Sequence, residues 1–279
     1  MHFWESGSIA YRLSQLYGRL RTNYLWQRTV TRCGRALGWA GPGNFLILSA
    51  ARSGTTLLVD YLNCHPRIRC RGEILNSDWA CYGNPRCMGP DRLRLQIESF
   101  FLRPTGMLAG AKVLTYQFDE LQIKLRDVLE LLDNPAIIVL YRERMLEQFV
   151  SLKTAERDRI WHSTKPAKSA PIALHPATFV AYAQRERRMW ADNLAEVEGR
   201  RVHFLSYERM TQETEESMRE LFEFLGLETC SVHSPLVKLH SKPLVTRLTN
   251  YGHFCRPEVS NQTILRLPFT ESLPTAKAA

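Results

Sequence analysis

The chain has 279 residues, of which 44% are hydrophobic and 23% charged, and its formal net charge is +9. This length and composition suit one large globular domain with a full core, and they exclude a disordered or fibrous chain. The basic residues are spread along the chain and do not form one dense run, so we expect an anionic small molecule and no nucleic acid as partner.

Residues 1–41 are predicted to form a basic amphipathic N-terminal helical arm, which ends at the Gly41-Pro42-Gly43 break. Apolar residues recur at helical spacing from Ile9 to Tyr24, and arginines greatly outnumber the single acid, Glu5. Such a helix is typical of a segment in peripheral contact with a membrane, or of an arm packed on its own domain or on a second subunit. We favour the packed arm.

The most informative stretch is residues 44–58, NFLILSAARSGTTLL. An apolar strand enters a turn of small residues, and a helix start follows, an order that presents free backbone N–H groups to an anion. A nucleoside-triphosphate loop would carry lysine at the position of Thr55. The stretch therefore predicts a phosphate-binding loop of a different kind, with candidate ligand contacts at Arg52, Ser53, Gly54, Thr55 and Thr56.

Strands and helices are predicted to alternate after this loop. This order predicts an α/β fold, a P-loop-type three-layer domain with a central, mostly parallel sheet and helices on both faces. Ligands of such sheets bind at the carboxyl ends of the strands. The predicted elements are a helix over 55–64, a strand over 68–73, a loop over 77–90, a helix over 93–102, a strand over 107–114 that carries Lys112, and one helix over 118–132.

A second strand–helix unit begins with the apolar run from Ala136 to Leu140. The run ends in Tyr141 and Arg142, where a kinase would carry an aspartate that holds Mg²⁺. Ser151 follows in the helix, and a guanidinium with a hydroxyl could hold a second phosphate of the same ligand. The sequence thus predicts a ligand with two phosphates, held by cations without a metal.

The remaining elements complete the predicted domain. Residues 157–176 are polar and contain prolines, which predicts a loop that acts as a lid on the acceptor side of the site. The pattern then predicts a helix over 177–198, a strand over 201–207, a helix over 213–225 and a C-terminal tail over 256–279.

Together these motifs resemble the PAPS-dependent sulfotransferase superfamily, especially its bacterial-type carbohydrate and nodulation-factor enzymes. RSGTT is similar to the loop that binds the 5′-phosphosulfate of PAPS (3′-phosphoadenosine 5′-phosphosulfate), and Arg142 with Ser151 resembles the 3′-phosphate site. The likeness extends over GEILN, SYERM and KLHSKPLVTRLTNY, and so spans residues 44–251. It implies a sulfotransferase domain over 42–255, PAPS as cosubstrate, and a small-molecule or carbohydrate acceptor.

The resemblance also implies residue roles. Glu73 is expected as the base for the acceptor hydroxyl, with Arg52 and Lys112 as cations near the transferring group. Tyr207 is similar to an adenine-contacting tyrosine, and Lys238 and Lys242, with Arg247, are expected to close over the 3′-phosphate.

The residues leave other interpretations open. His65 is a rival base, Glu73 could be a surface carboxylate paired with Arg69 or Arg71, and Lys112 could be a solvated strand end. Tyr207 could be an ordinary core residue.

The function expected from these patterns is transfer of a sulfuryl group from PAPS to a hydroxyl of a carbohydrate or glycolipid. O- or N-sulfation of a small secondary metabolite is one alternative. A P-loop nucleotide kinase or a non-catalytic nucleotide-binding protein is another. The sequence shows neither a signal peptide nor an apolar stretch of membrane-spanning length, which predicts a cytoplasmic protein.

Overall fold

A computed structural model describes residues 24–38, 44–75, 90–161, 169–236 and 242–256, together with Val259 and Leu267. The centre is a five-stranded sheet in the order β2-β3-β1-β4-β5, and all its strand pairs are parallel. The strands are β1 (Phe45–Ser49), β2 (Ile68–Glu73), β3 (Leu108–Leu114), β4 (Ala136–Tyr141) and β5 (Val202–Ser206).

Helices precede, connect and follow the strands. They are α1 (Tyr24–Ala36), α2 (Thr55–Asn63), α3 (Pro90–Phe101), α4 (Thr115–Leu121), α5 (Leu125–Leu131), α6 (Met145–Asp158), α7 (Pro176–Ala195), α8 (Tyr207–Gln212), α9 (Thr214–Phe224) and α10 (Leu244–Arg247), with a 3₁₀ turn at Tyr251–Phe254.

The central strand β1 is fully buried and contributes side chains to both faces of the sheet. Leu46 and Leu48 enter one core, whereas Phe45 and Ile47 enter the other. Helices α3 to α7 cover the first face, and α2, α8 and α9 cover the second. The predicted three-layer α/β architecture is therefore confirmed, because a strand apolar on both faces must be covered on both.

Several predicted element boundaries are wrong, since the helix expected over 93–102 begins at Pro90 and the helix expected over 177–198 ends at Ala195. The single helix expected over 118–132 is two helices, because Gln122 adopts a left-handed φ of 54° and Asp127 caps a new helix start at the Lys124 backbone N–H. No glycine or proline marks this break. The strand expected over 201–207 ends at Ser206, whose hydroxyl accepts from the Arg209 N–H and so begins α8 at Tyr207.

A bulge shifts the register between β2 and β3. Cys70 pairs with Gly110, whereas the next pair joins Glu73 to Lys112, so β2 has one more residue than β3 between the two pairs. Bulges redirect side chains near active sites. Here the bulge sets Glu73 beside Lys112.

The last part of the predicted N-terminal arm is helix α1, which packs on α3. Arg35 pairs with Glu98 at 2.9 Å, and a Cβ on Gly34 would lie 2.4 Å from the Leu102 side chain. The earlier part of the arm lies outside the described residues, and the division into an arm, a domain and a tail stays a prediction. Among the helices that the structure describes, none has the length and apolarity needed to cross a membrane.

Helix α7 buries an acidic residue, Glu186, which is 7% exposed. Its Oε2 atom has no hydrogen-bond partner among the described residues, and burial raises the pKa of Glu186 to about 7. The folded chain therefore holds this proton more tightly than the unfolded chain does. Between pH 4.5, the ordinary pKa, and about pH 7, this group makes the protein less stable as the pH rises.

Replacing Glu186 with glutamine is expected to raise the free energy of unfolding at pH 8 by up to about 3 kcal/mol relative to the wild type. At pH 5 the difference should shrink to about 1 kcal/mol or less, because the wild-type carboxyl is then protonated when folded. Urea unfolding at both pH values measures the two differences. Glu198 is exposed, and Glu198→Gln is the control. If the difference in free energy of unfolding between Glu186→Gln and wild type is the same at pH 5 and pH 8, the expectation is wrong.

Candidate active site

Residues 50–54, hereafter the anion loop, connect the carboxyl end of β1 to the start of α2. Arg52 and Gly54 have positive φ values of 64° and 84°. A Cβ at Gly54 would lie 2.4 Å from the Tyr207 ring, so glycine satisfies both the backbone conformation and the close approach. The left-handed Arg52 is a strained backbone position of the kind found at functional sites.

Lys112 lies on β3 and reaches the start of α2. Its Nζ is 3.4 Å from the hydroxyl oxygens of both Thr55 and Thr56 and 3.3 Å from Glu73 Oε1. Gln117 Nε2 donates to the other carboxylate oxygen of Glu73 at 3.3 Å. Lys112 is only 8% exposed, so it is a buried cation between the helix start and a carboxylate, and the interpretation as a solvated strand end is wrong.

Among the described residues, no hydrogen bond or ion pair joins Glu73 to Arg69 or Arg71, because its partners are Lys112 and Gln117. Arg71 Nη1 and Nη2 instead donate to backbone carbonyls of Ser99 and Leu102, at and just after the end of α3.

His65 is buried, and its Nδ1 accepts from the Arg67 N–H. These contacts give His65 a turn-stabilising role.

Arg142 follows β4 and lies against the anion loop. Its guanidinium is 2.9 Å from Glu147 and 3.7 Å from Glu208, and Nη1 is 3.4 Å from the Arg52 carbonyl. The Arg142 Cζ is also 4.7 Å from the centre of the Tyr207 ring. Tyr207 is thus placed between Gly54 and Arg142, and it links the two predicted phosphate sites.

The Arg52 side chain turns towards α6. Nε donates to Ser151 Oγ at 3.1 Å, and Nη1 donates to the Trp161 carbonyl. Gln148 Nε2 donates to the Ala51 carbonyl at 2.8 Å and fixes the loop from the same helix. Ser151 therefore lies in the site through Arg52, whereas the sequence suggested a pairing with Arg142.

The site concentrates positive charge. Burial lowers the pKa of Arg52, and the neighbouring guanidinium groups of Arg142 and Arg247 lower it further. Burial and Arg142 likewise lower the pKa of Arg247. The buried Arg142 Nε and Arg247 Nη2 atoms have no hydrogen-bond partner among the described residues. Cations that repel one another and have unsatisfied donors are suited to binding an anion.

Acidic residues hold this cationic cluster in place. Burial alone would raise the pKa of Glu147, but Arg142 and Arg144 outweigh it and lower the pKa below its ordinary value. Glu208 accepts from the backbone N–H groups of Glu143 and Arg144 at 3.0 and 3.3 Å. Glu208 therefore fixes the turn from which Arg142 projects.

Most of the predicted site residues come together at the carboxyl edge of the sheet. Lys242 is exposed, and within the described residues no hydrogen bond or ion pair joins it to the others. Lys238 lies outside the described residues, as do residues 77–89 of the predicted loop. The residues brought together are Arg52, Ser53, Gly54, Thr55, Thr56, Glu73, Lys112, Arg142, Ser151, Tyr207 and Arg247.

Sequence reasoning missed four supporting residues, which are Gln117, Glu147, Gln148 and Glu208. Gln117 stands in the first turn of α4 and carried no recognisable signal. Glu208 belongs to the SYERM motif, which could have drawn attention to it. Among the described residues, no group of three or more His, Cys, Asp or Glu side chains is arranged to hold a metal ion.

Comparison with known proteins gives consistent matches. The model of a family described as "Sulfotransferase family" matches residues 121–231. Nodulation protein H of Rhizobium meliloti (strain 1021) is 26% identical over 242 residues, which cover 79% of this chain and 92% of that protein.

One solved structure that matches this chain is a sulfotransferase from Alicyclobacillus acidocaldarius, with a TM-score of 0.49 and 16% sequence identity. The match covers 72% of this chain and 88% of that one. A mouse sulfotransferase complexed with PAP has a TM-score of 0.47 and 16% identity, over 85% of this chain and 86% of that one.

Proposed function

Because the chain belongs to the sulfotransferase superfamily, we propose that it transfers a sulfuryl group from PAPS to a hydroxyl of a carbohydrate or glycolipid. PAPS carries two separated anionic groups, and this chain has two neighbouring cationic groups of residues at one sheet edge. When bound, PAPS supplies the sulfuryl group and leaves as adenosine 3′,5′-bisphosphate (PAP).

The observation that carries the proposal is the cluster of Arg52, Arg142 and Arg247. Burial and neighbouring guanidinium groups lower the pKa of Arg52 and of Arg247, and Arg142 Nε and Arg247 Nη2 have no hydrogen-bond partner among the described residues, which a multiply charged anion would relieve. The anion loop and the Thr55 and Thr56 hydroxyls would hold the 5′-phosphosulfate. Arg142 and Arg247 would hold the 3′-phosphate.

The contacts of Lys112, Glu73 and Tyr207 support a role for each of them in the proposed reaction. Lys112 lies between the helix-start threonines and Glu73, so its ammonium would stabilise negative charge that develops during transfer. Glu73 would accept the proton of the acceptor hydroxyl, and Gln117 would hold the carboxylate in position. The Tyr207 ring, between Gly54 and Arg142, would contact adenine.

The first test is thermal unfolding with PAP in the presence of EDTA, with ATP and Mg²⁺ measured in parallel. A ligand that binds only the folded chain raises its melting temperature by mass action, so PAP in large excess over its dissociation constant should raise it clearly. Incubation with radiolabelled PAPS and a panel of oligosaccharides and phenols then tests transfer.

A rise only with Mg²⁺–ATP would replace the proposal with a kinase. Binding of PAP without transfer to any acceptor would favour a non-catalytic nucleotide-binding protein. Transfer to phenols or amines but not to sugars would change the acceptor class and leave the donor assignment intact.

A further inference from the structure

Two cysteines and a histidine lie together at the end of α2 that is opposite the anion loop. Cys64 directly follows α2, and the chain that leaves α9 reaches it at His233. The Cys64 Sγ accepts from the His233 N–H at 3.3 Å and donates to the His233 carbonyl at 3.3 Å. The same sulfur is 3.6 Å from Nδ1 of the His233 ring. The Cys64 thiol is therefore beside an imidazole, and it fixes the segment after α9 through its backbone.

A second contact holds the same segment on α2. Ser234 Oγ donates to Asp60 Oδ2 at 2.6 Å, and it accepts from the Leu236 N–H at 3.1 Å. Asp60 is in the last turn of α2, one turn before Cys64. The segment around His233 is thus attached to α2 at two neighbouring points.

Cys230 is the second thiol of this cluster. It precedes His233 by three residues, which span at most about 10 Å. Its partly buried side chain packs against the core cluster to which α2 contributes Leu58 and Leu62. Burial raises the pKa of the Cys230 thiol, and the neighbouring Cys64 raises it further. The two thiols are therefore neighbours in space although they are far apart in the sequence.

We propose that Cys64 and Cys230 are a redox modification site, at which glutathione disulfide reacts first with Cys64 and then leaves a reversible disulfide between the two cysteines. The site is at the far end of α2 from the anion loop, and the inference does not depend on the proposed function. The thiolate is the reactive form of cysteine, and reactive cysteines are partly exposed and lie beside groups such as histidine. Cys64 meets both conditions.

Cys70 shows the contrasting environment. It is 4% exposed, and burial raises the pKa of its thiol well above the ordinary value. A buried thiol of this kind is unreactive, because little thiolate forms and the oxidant has no access to it. Proximity to α2 alone therefore does not make a cysteine reactive in this fold.

The reaction consists of two thiol–disulfide exchanges. The Cys64 thiol gives its proton to His233, and the thiolate attacks one sulfur of glutathione disulfide. The S–S bond breaks, and one glutathione leaves with the electron pair and takes up a proton. Cys230 then loses its proton to water and attacks Cys64 Sγ, which displaces the second glutathione. The protein thiols lose two electrons and two protons in total, and glutathione disulfide is reduced to two molecules of glutathione.

The first exchange prepares the second. Once Cys64 is in the mixed disulfide, its thiolate no longer raises the pKa of Cys230, so Cys230 ionises more readily. A disulfide needs a Cα–Cα distance of about 4–7 Å. Residues 227–234 belong to neither a helix nor a strand, so this segment can move towards α2 without unfolding an element. Exchange also removes the Cys64 S–H that donates to the His233 carbonyl, which releases the segment for that movement.

The test incubates the folded full chain with glutathione disulfide and analyses it by mass spectrometry and peptide mapping without reduction. Wild type should give a linked peptide pair that contains Cys64 and Cys230, and dithiothreitol should reverse the link. Cys64→Ser should give no link, whereas Cys230→Ser should keep one glutathione on Cys64. Cys33 is exposed, and Cys33→Ser is the control that should link as the wild type does.

The rate of the first step tests the role of His233. In the Cys230→Ser background, His233→Ala should slow the addition of glutathione to Cys64 by about five-fold or more. Ser231 is an exposed neighbour, and Ser231→Ala in the same background should leave the rate within about two-fold. The melting temperature of each variant before oxidation verifies that it is folded.

Three results would overturn the inference. The first is a folded wild type in which Cys64 and Cys230 stay unlinked, or in which the link forms only in urea. The second is linkage of either cysteine to a different partner. The third is addition of glutathione to Cys230 in Cys64→Ser as fast as to Cys64 in Cys230→Ser, which would contradict the assigned order. PAP is absent from these experiments, so their outcome is independent of the donor site.

Discussion

Replacing Glu73 with glutamine is expected to lower kcat for sulfuryl transfer by about 10²–10⁴-fold, the usual contribution of a general base. Glutamine keeps the size of the side chain and an oxygen that can accept from Lys112, so packing and donor binding should survive. The measurement is steady-state transfer from PAPS to an acceptor found in the screen, with PAP affinity determined on the same protein.

Glu98→Gln is the matched control for this change. Glu98 is also a glutamate paired with a cation, but its partner is Arg35 on α1, away from the anion loop. It should retain nearly the full rate. If Glu73→Gln keeps more than about a third of the wild-type kcat with normal PAP affinity, Glu73 is not the base.

Replacing Arg142 with alanine is expected to weaken PAP binding by about 30-fold or more, since loss of one member of a buried charged pair costs about 2–5 kcal/mol. Arg142 is 7% exposed and touches the anion loop through the Arg52 carbonyl. Arg142→Lys should recover only part of the affinity, because an ammonium lacks the planar fork of donors. Calorimetric titration with PAP in EDTA gives the affinities.

Arg144→Ala separates ligand binding from the support that Arg142 gives to the fold. Arg144 shares the carboxylate of Glu147 with Arg142, but its side chain is 62% exposed. Its removal should leave PAP affinity within about two-fold of the wild type. The ligand-free melting temperature of each variant reveals any loss of folding, and equal PAP affinity for Arg142→Ala and wild type would remove Arg142 from the site.

The fold was largely predictable from sequence because its signals are local. The apolar run before the small residues of the anion loop, and the run that ends at Arg142, are strands buried on both faces. Parallel pairing then places both strand ends at one edge. The break at Gln122 could not be predicted, because the left-handed conformation occurs there at a glutamine, which is not a residue type that favours it.

The site was less predictable where a long side chain can reach several hydrogen-bond partners. Nothing in the spacing indicates that Arg52 turns to Ser151 and the Trp161 carbonyl, or that Lys112 spans two threonines and Glu73. These choices depend on tertiary contacts between residues far apart in the chain. One acidic support of Arg142 is equally non-local, since Glu208 reaches it from the element after β5.

The bulge in β2 has a consequence for comparisons among relatives. Glu73 faces Lys112 only because β2 carries one residue more than its partner strand between the two paired positions. A relative without that insertion could hold the same carboxylate beside the same ammonium one position earlier in its sequence. Carboxylates equivalent to Glu73 in relatives should therefore be identified by their pairing with the β3 lysine, since alignment by residue count alone would match Glu73 to the wrong position.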